Sequence, residues 1–328
     1  MDGEGFRAYL KERDLSAEAI EASVSIAAEF EQFRQGSARS RRQKENTADV
    51  VARFSGQMVE RGMNTQDRYF ALFRYGRFIR DDALFVAALE LVDGAEVLGN
   101  LHRKLGEAIG EPARDAIFEG IDVPPLGTPN ARKPPLTERV MQRLEASVDP
   151  ATCKRIIGSG LRDLDDAAFF GEKAKYEQAG GIDAYLERKG ADFIASLEKH
   201  RDEGTLYFTQ PVDDAVIEYV RDHAEIRAGV RRGRVLFEAK IPYQTTRFLA
   251  AKNQQERAYH YCHCPWVKDS LRDGPSRVSP TFCHCSAAFH KRPYEVIFGQ
   301  PLRADVVETV LRGDLWCRFA IHLPERVI

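Results

Sequence analysis

The sequence predicts an α+β protein: an N-terminal helical domain followed by an α+β domain with an antiparallel sheet and a C-terminal hairpin. Three observations carry that expectation. From about Leu15 to Glu119 apolar residues recur at helical spacing; five prolines then crowd "IDVPPLGTPNARKPPLTER"; and runs with strand character occur only in the C-terminal half. A chain of 328 residues also exceeds the usual size of a single core, which favours two domains.

Val50, Val51, Phe54 and Met58 share one helical face, with Thr47 placed to cap its start and Gly62 to end it. The next helix is expected after Thr65 and carries Tyr69, Phe70, Leu72, Phe73, Tyr75 and Phe78, so the two form part of a bundle. Pro124, Pro125, Pro129, Pro134 and Pro135 fit neither helix interiors nor central strands. The expected division is therefore a helical domain over 1–121, a proline-rich linker and connecting helix over 122–149, and a cysteine-rich α+β domain over 150–328.

Polar helices resume near Thr137 and continue through "DDAAFFGEKAKYEQ" and "GGIDAYLERKGADFIASLEKH". Strands are expected at Thr205 to Gln210, at Arg234 to Tyr243 and, by alternation, at Arg257 to Trp266. The chain then closes in a hairpin of Leu302 to Arg312 and Leu315 to Leu323 that turns at Gly313-Asp314. Between these, Ser286 reads as the cap of a helix that runs to Gly299, with Pro293 splitting or restarting it.

A formal charge of -2 supplies no basic field for nucleic acid or an anionic membrane surface. No apolar run reaches membrane-spanning length, and "MDGEGFRAYLKERD" lacks a signal-peptide pattern, so a cytoplasmic protein is expected. The basic run Gly36 to Asn46 reads as a solvated linker. Arg68, Arg74, Arg77 and Arg80, interleaved with aromatics, read as the polar face of a core helix rather than a nucleic-acid surface.

Four of the six cysteines lie in "YHYCHCPWVKDSLRDGPSRVSPTFCHCS". In a reducing compartment such clusters are metal ligands or reactive thiols more often than disulfides. On a strand, His260, Cys262 and Cys264 project from one face and Tyr259, Tyr261 and His263 from the other. The same rule places Leu315, Cys317, Phe319 and Ile321 together on the inward side of the last strand. Cys283 and Cys285 precede a helix, where thiol pKa values fall. Two Cys-x-Cys pairs suit zinc first and an iron–sulfur cluster second. Buried cysteines that act as small hydrophobes, and a redox or nucleophilic thiol pair, stand as alternatives. His263 and His284 read as exposed or hydrogen-bonded, and Cys153 as a lone buried residue. His290, Lys291 and Arg292 put positive charge after the second pair, with His290 and Arg292 the candidates to hold a carboxylate substrate; a solvated helix face is the alternative reading.

The order Cys262-His263-Cys264-Pro265, Cys283-x-Cys285-Ser286 and Gly313-Asp-x-x-Cys317-x-Phe-x-Ile321 resembles an uncharacterised bacterial cysteine-rich family. That family is related to the L-2-amino-thiazoline-4-carboxylic acid hydrolase-like proteins and, distantly, to 4-vinyl reductase domains. The resemblance covers roughly Pro150 to Leu323. It implies an α+β ligand-binding fold closed by the last hairpin, and it adds Cys317 to the candidate ligands Cys262, Cys264, Cys283 and Cys285. Sensory members carry another cysteine before the hairpin turn, where this chain has Glu308, Thr309 and Val310. The function so implied is a metal-dependent, zinc-using enzyme that acts on a small molecule, for instance by hydrolysis of a heterocycle or amide. A small-molecule sensor module with a structural metal is the alternative.

Overall fold

The computed structural model describes residues 1–40, 46–325 and 327, so residues 41–45 of the basic run Gly36 to Asn46 lie outside the described residues. The chain divides into two compact units, one of residues 1–95 with 123–133, the other of 96–122 with 134–328.

The first unit is a helical bundle of α1 (Gly3–Lys11), α2 (Ala17–Ser40), α3 (Thr47–Glu60), α4 (Gln66–Phe78) and α5 (Asp82–Val92). Its core gathers Phe6, Phe30, Val51, Phe54, Tyr69, Leu72 and Leu84. Asn46, rather than Thr47, caps α3 by accepting the Asp49 N–H at 2.8 Å. On α4 the arginines do flank a packed face, and Arg77 stacks 3.7 Å from the Phe85 ring centroid.

The proline-rich segment 123–133 belongs to this bundle. The Ser55 hydroxyl donates to the Gly127 carbonyl at 2.8 Å, Asn64 donates to the Leu126 carbonyl at 2.9 Å, and the Leu126 side chain packs on the core. Gly127 has φ +89, and a Cβ there would fall 1.7 Å from the Tyr69 hydroxyl oxygen, so no other residue fits the turn.

The second unit begins earlier than the sequence suggests. It opens with α6 (Val97–Ile109) and α7 (Glu111–Phe118), which pack with α8 (Pro134–Ser147) and α9 (Pro150–Ile157). Leu98, Leu101, Leu105 and Phe118 enter one core with Met141, Leu144, Tyr261, Trp266 and Phe319. Pro134 and Pro135 start α8, where a missing N–H loses no helical bond.

There follow α10 (Phe170–Ala179), α11 (Ile182–Glu203), α12 (Asp214–Asp222), α13 (Ala224–Arg227), β1 (Val230–Arg232), β2 (Val235–Ala239), α14 (Thr245–Ala250), α15 (Gln254–Tyr261), α16 (His284–Phe298), β3 (Arg303–Glu308) and β4 (Arg318–His322). The antiparallel sheet has the order β1-β2-β4-β3. Phe319 and Ile321 of the central β4 are fully buried.

Several local expectations change. Thr205 to Gln210 is a tight turn with one bridge, Tyr207 to Gln210, around an exposed Phe208 at φ +55. Arg257 to Trp266 is no strand: α15 occupies its first half. Asn253 caps that helix by accepting the Glu256 N–H at 2.8 Å, and Glu256 accepts the Lys252 N–H at 2.9 Å. The closing hairpin has shorter strands and a wider turn, with a 3-10 segment at Val310–Arg312 before Gly313 at φ +85. Leu315 falls in that turn and is 54% exposed, so it does not join Cys317, Phe319 and Ile321. Helix α16 runs unbroken through Pro293, and its cap position is Cys283, not Ser286.

Candidate functional site

Cys262 is the C-cap of α15 in extended conformation, and Cys264 follows two residues on. Cys283 ends a 3-10 turn and caps α16, whose first turn holds Cys285. Cys317 directly precedes β4 and its carbonyl accepts the Lys240 N–H at 3.1 Å. These three chain segments line one cavity of about 20 Å³ with all five sulfur-bearing residues, together with Lys240, His263 and Thr309. None of the six cysteines is in a disulfide, and Cys153 lies apart from the cavity, in the core with Ile156 and Ile157.

Sequence reasoning missed Thr309. Its fully buried hydroxyl lies 3.1 Å from the Cys283 sulfur and 4.0 Å from that of Cys317. It stands just before the hairpin turn, between Glu308 and Val310. His263 turns its Nε2 to the Ile241 carbonyl at 2.6 Å and packs edge-on to Tyr243.

Burial sets the protonation of the thiols. It pushes Cys262 and Cys283 well above the ordinary thiol value, raises Cys317, and takes Cys285 to about 12. The expected depression at the start of α16 is thus overridden, because desolvation outweighs the helix end and the Lys240 ammonium. Protonated, buried thiols are poor nucleophiles and slow to oxidise.

Whether this set fits a metal turns on chemistry, size and geometry. The donors are of the soft type that zinc prefers. About 10–15 Å³ of cavity holds one water, so the space accepts a single ion and neither a substrate nor an eight-atom cluster. Yet among the described residues no three His, Cys, Asp or Glu side chains form a group arranged to hold a metal ion. Donor type and volume fit, whereas convergence requires the thiols to rotate inward.

A second group of residues lies at the wall of a neighbouring cleft of about 510 Å³, which shares Lys240 and His263 with the thiol cavity. Glu238 of β2 is buried there. It accepts hydrogen bonds from Lys189 and Tyr294 at 2.6 Å each and lies 3.1 Å from His290 Nδ1. Burial pushes its carboxyl up, but Lys189 and His290 together outweigh that and hold it at about 2. Burial lowers His290, so its ring is neutral at neutral pH.

The two residues expected to bind substrate face different clefts. His290 lines the cleft just described, whereas Arg292 lines another, of about 580 Å³, that reaches Cys285. There Arg292 pairs with Asp166 and, at 3.2 Å, with Glu295, so it has carboxylate partners already. No helix among the described residues is long and apolar enough to cross a membrane.

No family model matches the chain, and no solved structure matches it. The tRNA modification GTPase MnmE of Sphingopyxis alaskensis is 34% identical over 113 residues, which cover 31% of this chain and 27% of that protein. The chain therefore matches only about a quarter of that relative's length.

Proposed function

We propose that the second unit binds a small molecule and is braced by one zinc ion held by thiolates from among Cys262, Cys264, Cys283, Cys285 and Cys317. The observation that carries the reading is that these five residues, from three separate segments, line one ion-sized cavity. Among the apolar Val267, Phe282, Val310, Leu311 and Phe319 of the lining, the polar Thr309 and Lys240 also face the thiols. When bound, the ion supplies the protonless state that burial denies the thiols, and with it the cross-link between α15, α16 and the closing hairpin. The role so assigned is structural, since the cavity has no room for substrate.

Metal-dependent hydrolysis is the second reading, favoured by Cys285, which lines both the cavity and the 580 Å³ cleft. The partial likeness to a GTPase adds nothing to either. The sequence has no G-x-x-x-x-G-K-[S/T] loop to cradle a nucleotide's phosphates.

Elemental analysis of purified protein, with X-ray absorption at the zinc edge, tests the proposal. One zinc per chain in an all-sulfur shell is expected, and Cys264→Ser or Cys285→Ser should release it and lower the melting temperature. A shell with an oxygen ligand selects the hydrolytic reading. Absence of stoichiometric metal ends both.

A further inference from the structure

The cleft beside Glu238 has a charge pattern that thiol chemistry does not explain. Lys175 at its wall pairs with Glu172 and Asp192, and Lys189 pairs with Glu238. Lys240 is different: its ammonium meets the Ser286 hydroxyl at 3.1 Å and has no carboxylate partner among the described residues. Arg227, also lining the cleft, bonds through Nη1 to the Arg221 carbonyl, at 3.0 Å. Two cationic residues thus line this space with no carboxylate partner among the described residues, and an ammonium offers three donors, of which Lys240 uses one.

The rest of the lining suits an aryl or branched body: Phe193, Tyr207, Phe289 and Ile241 supply apolar wall. His290 adds direction. The ionised Glu238 can only accept, so Nδ1 of the neutral imidazole carries the proton and donates to it, which leaves Nε2 as a hydrogen-bond acceptor. Tyr294 and Lys189 fix Glu238, and the ring lies 4.6 Å from the Phe319 ring, so the acceptor is rigidly held.

We propose that this cleft binds a small aromatic carboxylate, its carboxylate on Lys240 and a ring hydroxyl or amine donating to His290 Nε2. The volume of about 510 Å³ lies in the range of small-molecule sites. The inference rests on the small-molecule half of the proposed function.

Calorimetric titration of the full chain with phenylacetate, its three ring-hydroxylated isomers and phenylacetamide tests it. The acids should bind saturably and the amide far more weakly. Lys240→Met should weaken the acids about tenfold or more, the order expected for a charge-assisted hydrogen bond. Lys240→Arg, which keeps the charge, should restore most of the affinity, and Arg292→Met on the other cleft should change nothing. At least one hydroxylated isomer should exceed phenylacetate, and His290→Phe should erase that gain while leaving phenylacetate bound. Failure of every acid to bind, equal binding of acid and amide, or loss through Arg292→Met overturns the proposal. Zinc content measured on the same samples separates the two readings: acid binding by metal-free protein removes the metal centre alone.

Discussion

Glu238 shows how one residue ties the sheet to the cleft. Its carboxylate is desolvated inside β2, and only Lys189, His290 and Tyr294 compensate it. Lys189→Met should therefore destabilise the second unit by about 3 kcal/mol, the low end for a broken buried pair, because the lysine keeps 30% of its side chain exposed. Chemical denaturation checks the figure, and a loss below about 1 kcal/mol would show that water replaces the ammonium. The pH dependence follows from the same contacts. Glu238 falls from an ordinary 4.5 to about 2 on folding, so its contribution is complete above 4.5 and fades as pH drops towards 2. Glu238→Gln should flatten that part of the stability profile. None of this could be read from the sequence, since strand alternation assigns faces without telling which charged residue finds partners across the sheet. The sequence offers His290 as positive charge near the cysteines, whereas burial lowers its pKa and leaves the ring neutral. Its partnership with β2 was not legible, because the two are 52 residues apart.

At the scale of elements, the cysteines reach their cavity by helix ends rather than by strand alternation. Tyr259, Tyr261 and the intervening polar residues mimic a strand pattern, but Asn253 and Glu256 form a start signal that outweighs it. The helix delivers Cys262 at its C-cap and frees the next residues to turn, so Cys262 and Cys264 meet the cavity without sharing a strand face. Asn253→Ala should cost about 1 kcal/mol through the lost cap. If α15 positions the first thiol pair, the substitution should also raise the rate at which a thiol reagent labels Cys264, the half-buried member, ahead of global unfolding. Labelling that simply tracks global unfolding would mean that the loop 262–267, and not the helix, holds the pair. The closing hairpin was legible from Gly313 and the apolar alternation of Phe319 and Ile321. Its wide turn was not, because Val306, Val307, Thr309 and Val310 read as one continuous strand, whereas the chain turns into a 3-10 segment at Val310 and buries that side chain.

Across the whole molecule, the prolines mark real breaks in regular structure but not the division between units. Segment 123–133 follows the first unit because Ser55, Asn64 and Tyr69 leave a niche that only Gly127 and its neighbours fill. Helices α6 and α7 follow the second because their apolar faces complete the core on which Tyr261 and Trp266 rest. Composition cannot separate these cases, since an amphipathic helix reads the same whichever core it covers. The consequence is a test of fragments. A chain of residues 150–328 lacks Val97, Leu98, Leu101, Leu105, Phe118, Val140, Met141 and Leu144, all buried in that core. Each fully buried aliphatic or aromatic side chain contributes about 1.5–3 kcal/mol. Their joint removal, about 12–24 kcal/mol, matches or exceeds the roughly 5–15 kcal/mol by which a domain is stable. Residues 96–328 keep the whole set and should melt cooperatively, whereas 150–328 should show no cooperative transition and should expose the thiols to rapid labelling. A cooperative melt of 150–328 at the temperature of the longer fragment would place the boundary at the prolines after all.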